Sequence, residues 1–233
     1  MVFKNRKWLS FVVIALLVLM TGNSVWAQFT APQKVIGVVE PRSGVYAEIG
    51  EYGIKGVQLA LDQYNAKGGV LGSELVLVAE DTQSVVNVGA QKARKLITER
   101  GAVMLVGEVS SAVAAAMGAV AAEFNVIFMA AGANSNNITN EDAKRVMFRA
   151  DLSNWQSNNA MANYLLKNYG KRWYFLTSDY TWGHTAYNVA AKILKENGGT
   201  HLANDLVPLG TSDYSAYLLK IRQAKPDVLY LSI

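Results

Sequence analysis

From residue 33 onward, short β-rich runs alternate with segments whose apolar residues recur at helical spacing. Residues 35–39 read Val-Ile-Gly-Val-Val, a continuous apolar run that is typical of a strand buried on both faces. Residues 51–66 follow, with apolar residues from Ile54 to Tyr64 on one helical face, and the pattern ends at a Lys-Gly-Gly sequence. Because strands that alternate with helices of this length build parallel sheets, the sequence predicts a doubly wound α/β architecture.

The rest of the chain continues this alternation. Further strands are predicted at residues 75–80, 103–107, 126–129, 144–149, 172–177, 201–208 and 228–233. Further helices are predicted at residues 86–100, 111–124, 155–169, 184–197 and 214–224. The longest irregular segment, the Asn-rich stretch 130–142, follows a strand end. Ligand loops of open α/β sheets lie at that position, so this stretch is a candidate binding loop.

The N-terminus has the order of a secretory signal peptide. Three basic residues, Lys4, Arg6 and Lys7, precede an apolar run over residues 8–20, and residues 25–27 read Val-Trp-Ala. The alternative is a transmembrane anchor, but the run is shorter than the roughly 20 residues that a spanning helix needs. We therefore predict residues 1–27 to be a signal peptide that is cleaved after about Ala27, and a periplasmic location for the rest.

The charge of the chain excludes a nucleic-acid partner. The sequence carries 22 Lys and Arg against 18 Asp and Glu, a formal charge of +4. Three of the basic residues and none of the acidic ones precede residue 28, so the remainder has 22 − 3 = 19 basic and 18 acidic residues, a net charge of +1. These charges are mixed along the chain, which does not indicate a basic patch.

Several kinds of site are excluded by what the sequence lacks. There is no Cys, which excludes disulfides, thiolate metal ligands, a cysteine nucleophile and a lipoprotein attachment cysteine. There is no G-x-S-x-G elbow, no G-x-G-x-x-G after the first strand and no phosphate-binding loop. We assign no catalytic residue, no metal site and no cofactor, and we expect no enzyme.

A series of segments, taken together, carries a family resemblance. They are residues 34–39, 43–50 (Ser-Gly-Val-Tyr-Ala-Glu-Ile-Gly), 53–60, 65–72 (Asn-Ala-Lys-Gly-Gly-Val-Leu-Gly), 80–82, 107–111 (Gly-Glu-Val-Ser-Ser), 178–183 (Ser-Asp-Tyr-Thr-Trp-Gly), 210–215 and 225–227. In this order the chain resembles, from residue 34 to residue 233, the type I periplasmic solute-binding proteins of ABC transporters, in the branch of the leucine/isoleucine/valine-binding protein.

The resemblance implies a two-lobed fold in which each lobe is a doubly wound parallel sheet. It places the first lobe at residues 28–148 and the second at residues 149–233. The chain ends on an apolar run that looks like the interior of a strand, so we expect a chain truncated within the second lobe.

The resemblance also implies ligand contacts in the first lobe. Ser111, with Ser110 beside it, opens the helix after the third strand, where unpaired backbone N–H groups suit a carboxylate or an amide oxygen. The alternative is an N-cap that only stabilises the helix. Gly132 is expected to offer its carbonyl group, and Asn134 stands where the family has a Ser or Thr hydroxyl. The alternative is that Asn134 is a turn residue that does not meet the ligand. Ser135 could then supply the hydroxyl in its place.

Two aromatic residues complete the expected site. Trp182 stands where amino-acid binders carry an aromatic residue from the second lobe, and Tyr46 lies in a first-lobe loop that meets the ligand. Such rings give flat apolar contact and, with a cationic amine, a cation–π interaction. Packing of Trp182 in the core is the alternative.

The resemblance implies an exported substrate-binding component of an ABC uptake system that binds by closure of its two lobes. Its expected partners are a small solute and a membrane permease. The solute is an amino acid of the branched-chain type or a related small carboxylate or amide. The alternatives are a ligand-sensing ectodomain of a receptor, and a binder of aromatic acids, urea or short amides. A secreted α/β enzyme is disfavoured because no nucleophile motif is present.

Overall fold

Two parallel sheets flanked by helices make up the computed structural model, which describes residues 29–233. The predicted signal peptide and its cleavage site lie outside these residues. The strands are β1 (Ala31–Glu40), β2 (Ser73–Asp81), β3 (Ala102–Gly107), β4 (Ile127–Ala130), β5 (Met147–Arg149), β6 (Arg172–Ser178), β7 (Thr200–Val207) and β8 (Val228–Ser232). The helices are α1 (Ala47–Asn65), α2 (Val86–Thr98), α3 (Ser111–Glu123), α4 (Asn154–Asn168), α5 (Thr181–Glu196) and α6 (Ser215–Ala224).

The first sheet has five strands in the order β2-β1-β3-β4-β5, and all neighbours are parallel. Its core lies between the sheet and helices α2 and α3, where Leu96, Leu105, Met117 and Phe128 are fully buried. Helix α3 is rich in alanine, and these small side chains let it pack closely against its neighbours.

The second sheet has three parallel strands in the order β7-β6-β8. Its core is aromatic: Trp173 and Phe175 are buried on β6, and Tyr230 of β8 stacks on Trp173 with ring centroids 6.4 Å apart. Strand β6 is buried from Trp173 to Ser178, as expected of a central parallel strand.

The described chain crosses from the first sheet to the second between β5 and α4. Ser153 caps α4 by accepting a hydrogen bond from the backbone N–H of Gln156, and the Gln156 side chain accepts from the backbone N–H of Ser153. This capping box fixes the direction in which the chain enters the second lobe.

The predicted fold class is confirmed, and the main differences concern element ends. The strand predicted at residues 144–149 spans only Met147–Arg149, because residues 144–146 form a turn. The irregular stretch 130–142 contains a short 3₁₀ helix, Asn136–Thr139, capped by Ser135. No helix between residues 29 and 233 is both long and apolar enough to span a membrane.

Candidate functional site

A cavity of about 210 Å³ lies between the two lobes. Its lining residues all come from loops or helix starts that follow the carboxyl ends of strands, which is where ligands bind in open α/β sheets. They are Tyr46, Ile49, Val109, Gly132 and Asn134 from the first lobe, and Tyr180, Trp182 and Ile233 from the second. A ligand in this cavity would therefore contact both lobes.

Four of the predicted site residues, Tyr46, Gly132, Asn134 and Trp182, line this cavity. A Cβ atom at Gly132 would approach the Cα atom of Val109 to 3.2 Å, so a larger residue would crowd the cavity wall. Asn134 also holds the crossing between lobes, since its Nδ2 donates to the carbonyl of Leu152 at 2.5 Å.

The structure places Ser110 and Ser111 beside the cavity wall and not among the lining residues. Both are buried. The hydroxyl of Ser111 accepts a hydrogen bond from the backbone N–H of Ser135 at 3.1 Å, and the backbone N–H of Ser110 donates to Glu108 Oε1 at 2.8 Å. In this arrangement the two serines tie the start of α3 to its neighbouring loops.

Two buried carboxyl groups, Glu40 and Glu108, stand directly behind the wall of the cavity. Val38 and Val106 are paired between β1 and β3, and Glu40 and Glu108 lie two positions further along the two chains. Their exposed fractions are 4% and 0%, and the Oε2 atom of each has no hydrogen-bond partner among the described residues. Both carboxyl groups interact with the backbone N–H of Val109, a residue of the cavity wall.

Burial favours the protonated form of both carboxyl groups. The pKa of Glu40 rises to about 8, chiefly through desolvation and further through the nearby charge of Glu108. Desolvation also raises the pKa of Glu108 to about 7, although hydrogen bonds from the Thr82 side chain and the Ser110 backbone oppose the rise. The pair therefore retains a proton near neutral pH.

Tyr180 is a lining residue that the sequence reasoning missed. Its hydroxyl accepts a hydrogen bond from the Tyr46 hydroxyl at 3.0 Å, which joins the two lobes across the cavity. Its ring centroid lies 6.4 Å from that of Tyr46 and 6.1 Å from that of Trp182. Burial raises the pKa of Tyr180, so it stays protonated. The sequence did contain a sign that Tyr180 belongs to the site, because this residue follows a buried strand and lies two positions before Trp182.

A larger groove of about 360 Å³ also lies between the lobes, on the side formed by the 3₁₀ helix and helices α4 and α5. It is lined by polar residues including Asn137, Asn159 and Asn188, and it contains none of the predicted site residues. Within residues 29–233 there is no group of three acidic, histidine or cysteine residues that could hold a metal ion. The smaller cavity lies at the carboxyl ends of the strands and contains four of the predicted residues, and it is therefore the candidate site.

The chain has two parallel α/β lobes joined by a short crossing, and a cavity lies between the carboxyl ends of their strands. This arrangement defines the class of two-lobed ligand-binding proteins. The particular family follows from sequence comparison. The profile described as periplasmic binding protein matches residues 34–233, and the chain belongs to that family. It is a family of solute-binding proteins and not of enzymes, and its description implies a periplasmic location.

Individual relatives agree with this assignment. The chain is 31% identical, over 84% of its length, to the Leu/Ile/Val-binding protein BraC3 of Rhizobium johnstonii. A crystal structure of a periplasmic binding protein from Burkholderia mallei is 31% identical, with a TM-score of 0.79 over 85% of this chain and 53% of that one. A leucine-binding protein from Thermotoga maritima is 28% identical, with a TM-score of 0.75 over 85% of this chain and 55% of that one. The chain spans about half the length of the curated relatives that it matches, 53% for BraC3.

Proposed function

We propose that this protein is the exported substrate-binding component of an ABC-type uptake system. The observation that carries the proposal is the cavity lined by both lobes and bridged by the hydrogen bond between Tyr46 and Tyr180. A solute that contacts both lobes stabilises their closed arrangement, and the closed form would then be the form that a membrane permease recognises.

Within this proposal, Tyr46, Gly132, Asn134 and Trp182 contact the solute, and Tyr180 joins them. Ser110 and Ser111 hold the start of α3 in place behind the wall. We place the lobes at residues 28–148 and 149–233; strand β5 pairs with the first sheet through Arg149, so the crossing itself follows that residue. Cleavage after Ala27 is part of the proposal, and N-terminal mass analysis of the exported protein, with Gln28 as the expected first residue, tests it.

Amino acids are the first class of solute to test, because several relatives are named Leu/Ile/Val-binding proteins. Aromatic acids are the second. A solute-binding protein of an R. palustris ABC transporter, solved in complex with benzoate, is 25% identical to this chain, with a TM-score of 0.80 over 86% of this chain and 55% of that one. The ring of Trp182 in the cavity is a surface on which an aromatic ligand could stack.

A thermal-shift panel of amino acids, short amides and aromatic acids tests the function. A solute that binds only the folded protein raises the unfolding midpoint, and at 100 times its Kd it contributes about 2.7 kcal/mol. Trp182→Leu is expected to reduce the shift. Trp155→Leu is the comparison, because Trp155 is 60% exposed and lines the larger groove instead of this cavity. Loss of the shift in Trp155→Leu alone would place the solute in that groove. Absence of any shift, together with chemical turnover of a panel compound, would contradict a binding protein.

A further inference from the structure

The position at the start of α3 that would receive a ligand carboxylate is already occupied by a carboxylate of the chain itself. Glu108 Oε1 accepts the backbone N–H of Ser110 at 2.8 Å. The Ser111 hydroxyl is bonded to the backbone N–H of Ser135. None of the residues that line the cavity is a Lys or an Arg. A second carboxylate placed here would face Glu108, so this position favours a cationic head over an anionic one.

The same geometry suits a cation. Glu108 and Glu40 lie behind Val109, each with a buried Oε2 atom that has no partner in the described chain. An unpartnered carboxylate oxygen in a buried position is costly, and a positive charge nearby offsets that cost. Glu108 is close to the cavity, since it precedes the lining residue Val109 in the chain and its charge acts on Tyr180, a second lining residue.

Three aromatic rings form the other part of the cavity. Tyr46, Tyr180 and Trp182 are neighbours, with successive ring centroids 6.4 Å and 6.1 Å apart. Clusters of aromatic faces attract ammonium groups through their ring quadrupoles. The cavity formed by the described residues has a volume of about 210 Å³, which is enough for the head of a small solute.

We propose that the cavity binds the head of a small organic cation, a primary or quaternary alkylammonium, between the rings of Tyr46, Tyr180 and Trp182 and in the field of the Glu40–Glu108 pair. The inference rests on the proposed function, since it names the class of solute that the binding protein takes.

Cation binding is then coupled to proton release. The pair retains a proton near neutral pH, and a cation in the cavity favours its loss. Other charged and titratable groups also lie at these strand ends. Arg42 pairs with Glu51 and its backbone N–H donates to Asp81. Arg149 donates to the carbonyl of Ser135, and Asp179 pairs with His184 after β6. The phenols of Tyr46 and Tyr180 face the cavity. The affinity for a cation is therefore expected to rise between pH 6 and pH 8.5.

Titration calorimetry on the full chain, with choline as the cationic probe and 3,3-dimethylbutan-1-ol as its neutral isostere, tests the inference. Choline is expected to bind at least about tenfold more tightly than the alcohol. Repeating the titration in phosphate and in Tris at one pH measures the protons released, expected to be up to about one. Leucine, benzoate and acetamide complete the probe set.

The variants separate the electrostatic contribution from general damage to the site. Glu108→Gln is expected to reduce choline affinity about tenfold while leaving the affinity for the neutral alcohol within a factor of about two. Glu123→Gln is the matched control, because it removes a carboxylate at the opposite, exposed end of α3. Thermal unfolding of Glu108→Gln checks that this variant folds. Trp182→Leu removes one of the aromatic rings and is also expected to weaken choline binding.

The outcomes distinguish the inference from the function on which it rests. If leucine, benzoate or acetamide binds in the cavity and choline does not, the cation inference is overturned and the binding function stands. If choline binds equally well to the protein and to both Glu108→Gln and Trp182→Leu, it binds elsewhere and the inference is likewise overturned. If no probe binds, both fail. Tight, pH-dependent choline binding that these variants lose supports both.

Discussion

Glu40 and Glu108 are the residues whose charge state most affects the first lobe. A carboxyl group whose pKa is raised on folding binds more protons in the native state than in the unfolded chain. For Glu40, the native state binds more protons than the unfolded chain over the pH range from its ordinary pKa of 4.5 up to about 8. The stability that the protonated pair contributes is therefore fully present below about pH 4.5 and is lost as the pH rises through 8.

We predict that Glu40→Gln makes the protein less sensitive to alkaline pH. Between pH 5 and pH 9 the free energy of unfolding of the unchanged protein should fall by a few kcal/mol, since each unit of pKa shift corresponds to about 1.4 kcal/mol. The variant should lose much less, because a neutral amide replaces the carboxyl group beside Glu108. Urea unfolding at a series of pH values measures the difference. Glu141→Gln, which changes an exposed carboxylate, should behave like the unchanged protein.

Ser111 is expected to matter for stability through the loop that it holds. Its buried hydroxyl is the acceptor for the backbone N–H of Ser135, so Ser111→Ala leaves a buried donor without a partner. The expected cost is about 1–3 kcal/mol, measurable as a lower urea midpoint at neutral pH. Ser215→Ala is a suitable comparison, because Ser215 is an exposed residue at the start of another helix, α6. Equal midpoints for the two variants would contradict this role.

Tyr46, Gly132, Asn134 and Trp182 could be predicted as site residues because the family resemblance places ligand contacts at these positions. Each follows the carboxyl end of a strand in one of the two sheets, where ligands bind in α/β folds. Glu40 and Glu108 could not be predicted as a pair. Their proximity depends on the register between β1 and β3, which are separated in sequence by a strand and two helices. Local spacing carries no information about that register.

At the scale of elements, the spacing of apolar residues was enough to predict where most strands and helices lie. It could not predict the residues at which they begin and end, because these depend on tertiary contacts. Helix α1 begins at Ala47, four residues before the first residue of the predicted helix. Its first turn is positioned by Gly50, where a Cβ atom would lie 1.9 Å from the carbonyl oxygen of Pro41. A close approach between a helix and the loop after another strand is a tertiary feature, and it sets where this helix starts.

Two helical glycines provide a prediction about packing between elements. A Cβ atom at Gly89 of α2 would lie 2.2 Å from Val113 Cγ1 of α3, and Val113 is buried and stiff at its branched Cβ. Gly89→Ala should therefore separate the two helices and cost about 1–3 kcal/mol. Gly56→Ala is the control, since nothing lies within 4 Å of its Cβ position, and it should stabilise α1 by about 0.5–1 kcal/mol. Urea unfolding measures both. Equal effects of the two changes would contradict the close contact between α2 and α3.

At the scale of the whole molecule, the lobes share few polar contacts, and these lie on either side of the crossing. The Tyr46–Tyr180 hydrogen bond spans the cavity, and Thr185 donates to Ser135 at 3.3 Å. The Asn134 side chain fixes the crossing by bonding to Leu152. Movement of one lobe on the other therefore has to break the tyrosine pair while the crossing bends, which makes this pair a reporter of closure.

We predict that a bound solute raises the yield of the cross-lobe dityrosine formed by Tyr46 and Tyr180 under brief photo-oxidation. Closure holds the two rings near the 6.4 Å separation of their centroids seen here, whereas opening moves them apart. Peptide mass spectrometry measures the product. Tyr164 and Tyr169, both in the second lobe with centroids 5.9 Å apart, give an internal reference whose yield should not change. Tyr46→Phe should abolish the cross-lobe product alone. A cross-lobe yield that stays constant relative to the reference as the solute is raised to saturation would show that binding does not close the lobes.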